Sequence, residues 1–122
     1  MFRTSIIFAA FSGLIAVILG AFGTHALKNQ LAPGLIDVWH TAVLYQFIHT
    51  LALLIVANLG DKLHPSWTRY SLYLFMFGII LFSGSLYCLV LIGLGKLGMV
   101  TPIGGLCFIL AWLCLAIAAL KK

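Results

Sequence analysis

Apolar residues run almost without interruption along this chain, and the polar ones punctuate it. Four stretches lack Asp, Glu, Lys and Arg altogether: residues 4–27, 38–60, 70–95 and 97–120, each 23 to 26 residues long. A hydrocarbon layer about 30 Å thick is crossed by roughly 20 apolar residues of helix rising about 1.5 Å each. The pattern predicts an all-α protein, an integral membrane four-helix bundle forming one domain over 1–122, with helices at about 4–23, 37–58, 67–92 and 102–120.

Punctuation sets these boundaries. Pro33 and Gly34 break the first loop, and Asp37 is the acidic residue expected near a helix N-terminus. Gly60, Asp61 and the pair His64-Pro65 form the middle turn, Gly93, Gly95 and Gly98 loosen the third connection, and Thr101-Pro102 reads as N-cap and N1 of the last helix. The start, Arg3 before an apolar run ending at Gly23 to Ala26, has the outline of a signal peptide. Its apolar run exceeds the usual 7–15 residues, so the expectation is a retained helix.

Composition removes the water-soluble alternative. Charged residues are 7% and hydrophobic ones 64% of 122 residues, against about 25% and 45–50% for globular domains. The net charge of +5 is scattered over short polar segments, which does not suit nucleic acid. Its sidedness is informative. Four crossings put Arg3, Lys62, Arg69, Lys121 and Lys122 on one side and only Lys28 and Lys96 on the other. By the positive-inside rule both termini are cytoplasmic, in a multi-pass protein of the cell inner membrane. Cys88, Cys107 and Cys114 lie within predicted spans without metal-ligand spacing and read as small packing residues.

Small residues mark contact faces. Ala9, Gly13, Ala16, Gly20 and Gly23 draw a stripe along the first helix, and Gly104, Cys107, Ala111, Cys114 and Ala118 another along the fourth. Such stripes let helix backbones approach closely in a membrane, within the bundle or between copies.

Intramembrane polar residues are costly and carry the most information about function. On the second helix Trp39, Ala42, Tyr45, Gln46 and His49 fall within about 120 degrees of one another at 100 degrees per residue. His40 points the opposite way, which excludes a bis-histidine site from His40 and His49 on that helix. Ser83 and Tyr87 share a face of the third helix, and His49 and Ser83 lie at similar depth, within roughly 5 Å. Tyr45, Gln46, His49, Ser83 and Tyr87 are therefore a candidate buried polar cluster. Either they hydrogen-bond one another to fix helix register, or they form a site centred on His49 for a proton, a quinone-like head group or haem. His25, Asp37 and His40 form a second cluster at the outer surface, with an Asp37–His40 contact one turn apart. On depth, only His25 with His40 suits haem, and a solvated cluster serves those residues equally well. No buried carboxylate is present to support ion conduction.

The motifs Gly20-Ala21-Phe22-Gly23-Thr24-His25-Ala26-Leu27, Trp39-His40-Thr41-Ala42-Val43-Leu44-Tyr45-Gln46-Phe47-Ile48-His49, Leu81-Phe82-Ser83-Gly84-Ser85-Leu86-Tyr87 and Thr101-Pro102-Ile103-Gly104-Gly105 resemble, in the same order, the YgdD family of small bacterial inner-membrane proteins. The similarity extends to a small mitochondrial transmembrane protein. It implies four helices in an inner membrane and supplies no reaction, ligand or cofactor.

Two functions are in view. The first is a non-enzymatic bundle acting through helix contacts with itself, as a homo-oligomer, or with a larger membrane complex. The second is a binding protein for a lipid, quinone or haem at a polar site around His49. In either case the expected surroundings are membrane lipids, with no nucleic acid and no catalytic residue, and the first reading expects no metal and no cofactor. Catalysis would need His49 as base and Ser83 as nucleophile, yet no carboxylate orients the histidine and no oxyanion donors are evident.

Overall fold

A computed structural model describes residues 2–93 and 95–121. Four long helices form as the hydropathy pattern requires: α1 (Phe2–Leu27), α2 (Pro33–Leu59), α3 (Pro65–Ile92) and α4 (Thr101–Lys121). Each is long and apolar enough to cross a bilayer. Large apolar side chains such as Phe11, Phe22, Ile55 and Ile109 are exposed around the bundle, where lipid is their solvent.

The helix ends follow local chemistry. α1 continues past Gly23 to Leu27 because a π-helical segment, Ile18–Gly23, carries the glycines without breaking the chain's hydrogen bonding. α2 starts at Pro33, four residues ahead of Asp37. Ala32 is extended, and proline at the first helical position loses no intrahelical bond. Pro65 starts α3 in the same way after the 3-10 turn Gly60–Lys62. α3 ends at Gly93, whose φ of 76° is open to glycine and disfavoured for other residues. Thr101 does not act as a simple cap. Its hydroxyl lies 2.6 Å from Ser85 Oγ, tying the start of α4 to α3.

The central pair is α2 with α3; α1 lies along α2 and α4 along α3, while α1 and α3 barely touch. The small-residue stripes are used within the chain. Ala9 and Ala16 of α1 are buried, and Gly20 and Gly23 lie under Val43 and Trp39 of α2. On α4, Gly104, Ala111, Cys114 and Ala118 are buried, and a Cβ at Gly104 would collide with the α3 backbone at Phe82. Reciprocally, the Phe108 ring occupies the space a side chain at Gly78 would need. The apolar core, including Leu53, Val56, Leu72, Phe75 and Phe108, sits where α2, α3 and α4 converge.

Candidate functional site

Gln46 is the middle residue of the 27-residue helix α2, so its amide lies near the centre of the bilayer. A primary amide there must find partners within the protein. Gln46 Nε2 donates to the Ser12 carbonyl at 3.0 Å and to Ser12 Oγ at 3.2 Å, on α1. Its Oε1 accepts from the Tyr87 hydroxyl of α3 at 2.6 Å. Ser12 Oγ is also 2.7 Å from Thr50 Oγ1, one turn along α2 from Gln46. One side chain thus ties three helices together at mid-membrane.

Ser83, one turn before Tyr87, donates to the Ala42 carbonyl of α2 at 2.7 Å. It precedes Gly84 at the end of a π-helical segment, Ile79–Ser83. The wider turn adds a residue to the helical circuit, and Ile79, Ile80, Ser83 and Gly84 all face a cleft of about 420 Å³ between α1 and α3. Phe8, Phe11 and Ile15 form its α1 wall, and Gln46, Ser12 and Tyr87 contribute at its floor. The cleft is where α1 and α3 fail to meet, and it faces the lipid phase. Toward the α1–α2 connection Trp39 is buried edge-on to Tyr87, centroids 4.9 Å apart, and donates through Nε1 to the Leu19 carbonyl at 2.9 Å.

His49 belongs to a different seam. Its ring stacks on Phe108 of α4, centroids 3.6 Å apart and 9° from parallel. Trp112 Nε1 donates to His49 Nε2 at 3.2 Å, so the proton sits on Nδ1, 2.8 Å from the Tyr45 carbonyl. Both nitrogens are engaged within the bundle, and His49 does not line the cleft. Tyr45 lies at the edge of this block, stacked on Phe82 at 4.6 Å and 38% exposed. Of the five side chains expected to cluster, the structure joins Gln46 to Tyr87, places Ser83 beside them, and turns His49 and Tyr45 toward α4. The reason is angular. Tyr45, His49 and Gln46 span about 100 degrees of α2, wider than one helix–helix seam, and they straddle two.

His25, Asp37 and His40 are all exposed. The Asp37 carbonyl accepts from Thr41 Oγ1 at 3.0 Å. Among the described residues no group of three His, Cys, Asp or Glu side chains is disposed to hold a metal ion. Sequence reasoning missed Ser12, Thr50, Phe108 and Trp112. Ser12 was accessible to it: it lies three residues from Ala9 and four from Ala16, on the small stripe of α1.

Comparison with known proteins gives a consistent family. The sequence model described as protein of unknown function (DUF423) matches residues 19–105. The chain is similar to the UPF0382 membrane protein YwdK of Bacillus subtilis, 44% identical over 120 residues and 98% of each chain. It is 42% identical over 121 residues to a UPF0382 membrane protein of Staphylococcus epidermidis, covering 98% of this chain and 97% of that one. It is also similar to the UPF0382 inner membrane protein YgdD of Escherichia coli, 40% identical over 119 residues, 98% of this chain and 91% of that protein. No solved structure matches.

Proposed function

The chain belongs to the DUF423 family, membrane proteins of unknown function, and from that premise we propose that it is a non-catalytic binding protein of the bilayer, holding a lipid-phase molecule between α1 and α3. It is a small multi-pass protein of the inner membrane. The cleft is the observation that carries the reading: about 420 Å³ with apolar walls and the Gln46–Tyr87 pair at its base. That volume falls within the roughly 300–1,000 Å³ of small-molecule sites.

The same hydrogen bonds speak against catalysis. The Ser83 hydroxyl proton is committed to the Ala42 carbonyl and both His49 nitrogens are occupied, which leaves the pair without a nucleophile–base contact. Sidedness of the basic residues supports cytoplasmic termini.

A second reading, a bundle acting through contacts with a partner helix, draws support from the apolar outer face of α1, where Leu14, Val17 and Ile18 are exposed. It is weakened because both small-residue stripes already serve contacts within the chain. Native mass spectrometry of the full chain, extracted in mild detergent, separates the two. Binding predicts a retained small-molecule mass that is lost in Gly84→Phe, whose Cβ enters open space at the cleft. A bare monomer in wild type and variant alike overturns it.

A further inference from the structure

The hydrogen bonds at the base of the cleft specify what a guest must offer, an inference that rests on the cleft being a binding site. Tyr87 and Ser83 both line it, and both hydroxyl protons are already given away, to Gln46 Oε1 at 2.6 Å and to the Ala42 carbonyl at 2.7 Å. Each oxygen keeps accepting capacity. The Gln46 amide protons are directed at Ser12. One hydroxyl proton of the Ser12–Thr50 pair fills the 2.7 Å contact between them, so at most one proton, on Ser12, is left for a ligand. Ser12, Gln46 and Ser83 are buried, so the polar group the base of the cleft offers is the Tyr87 oxygen, an acceptor whose proton is already given to Gln46.

Its walls supply the rest of the specification. Phe8, Phe11, Ile15, Ile79 and Ile80 are apolar, and among the described residues no cation or anion lines the space. Gln46 marks mid-membrane, a depth a phospholipid head group does not reach. The geometry points to a neutral, lipid-phase alcohol, a hydrocarbon chain or ring system carrying a hydroxyl that donates to the half-buried Tyr87. A molecule offering only acceptors, such as a ketone, a quinone or an ether, finds at most the single proton of the buried Ser12, since the Tyr87 proton is engaged with Gln46.

The test uses the full chain in phosphatidylethanolamine/phosphatidylglycerol vesicles and two photoreactive probes, a long-chain alcohol carrying a mid-chain diazirine and the methyl ether of the same alcohol. Crosslinked residues are mapped by peptide mass spectrometry. The expected result is labelling concentrated on the cleft walls, with the alcohol favoured over the ether by roughly five-fold, the factor one neutral hydrogen bond supplies. In Tyr87→Phe that preference should fall while cleft labelling persists. Equal labelling by both probes in the wild type overturns the hydroxyl assignment and leaves the cleft as a site. Labelling no denser at the cleft than on the outward Leu14 and Val17 of α1 overturns the binding function itself. Should Tyr87→Phe fail to assemble, the wild-type ratio of alcohol to ether still decides the assignment.

Discussion

Replacing Gln46 by Leu is the most direct perturbation of the bundle's polar centre. The substitution keeps a branched, similarly sized side chain while removing three contacts, two to Ser12 at 3.0 and 3.2 Å and one from Tyr87 at 2.6 Å. Interhelical hydrogen bonds in membranes average about 0.6 kcal/mol and reach about 1.7, because the unfolded chain in lipid also finds partners. Three such bonds give a loss of about 2 kcal/mol, close to a 30-fold change in the unfolding constant. Ser12 retains Thr50, which holds the figure near the average, whereas the Tyr87 hydroxyl loses its acceptor and raises it. Reversible unfolding in mixed micelles of rising SDS fraction measures the loss. A double-mutant cycle with Tyr87→Phe should assign about 0.6 to 1.7 kcal/mol to the Gln46–Tyr87 bond. A Gln46→Leu change below about 0.5 kcal/mol, or a cycle with no coupling, would refute the claim that this amide holds α1, α2 and α3 together.

Other outcomes follow from the same geometry. Gly104→Ala drives a methyl into the α3 backbone at Phe82, where no rotamer gives relief, and should cost about 1–3 kcal/mol in that unfolding assay. Gly84→Ala meets nothing within 4 Å and should be neutral or stabilise by up to about 1 kcal/mol; equal effects at the two glycines would contradict the packing described. His49→Leu removes the acceptor of Trp112 Nε1 and should shift Trp112 fluorescence while leaving any cleft-bound mass in place, since His49 lies outside the lining. Loss of that mass in His49→Leu would return the site to His49. Cytoplasmic termini predict a fluorescent C-terminal green fluorescent protein fusion and an inactive alkaline phosphatase fusion at the same end; the reverse pattern overturns the topology.

How far the sequence could be read depended on which physical rule governed each feature. The four spans were legible because membrane thickness fixes a helix's length and charge-free runs of that length are hard to mistake. The small stripes were legible because a period near 3.6 places Ala9 and Ala16, or Ala111 and Ala118, on one face. The π-helical segments were not, since nothing in the residues 79–83 or 18–23 alone announces an i→i+5 turn. That gap had a consequence for the site. Periodicity put Ser83 and Tyr87 on one face, but the π-helical turn is where Ser83 meets the Ala42 carbonyl and Ile80 joins the cleft wall. Backbone carbonyls as partners are invisible to any pairing of side chains, which is why His49 seemed available for Ser83.

The division of polar residues between two seams also accounts for how one small bundle reconciles stability with an opening. On the α4 side His49 is enclosed by Phe108, Phe75 and Trp112, and the close approaches at Gly78 and Gly104 leave no room for a guest. On the α1 side the small-residue stripe packs on α2, and hydrogen bonds from Gln46 and Trp39 fix α1 at two depths without filling the space toward α3. Contact and hydrogen bonds together hold α1 against α2 while α1 and α3 stand apart. The cleft therefore exists because α1 is pinned by polar groups at two depths rather than packed onto α3. If that is the reason, Gln46→Leu should let α1 move relative to α3, and a spin-label pair on the outward faces at Leu14 and Phe77, both exposed, should show a broader distance distribution than in wild type. An unchanged distribution would mean that apolar contacts alone position α1, and that the polar residues beneath the cleft serve the guest and not the frame.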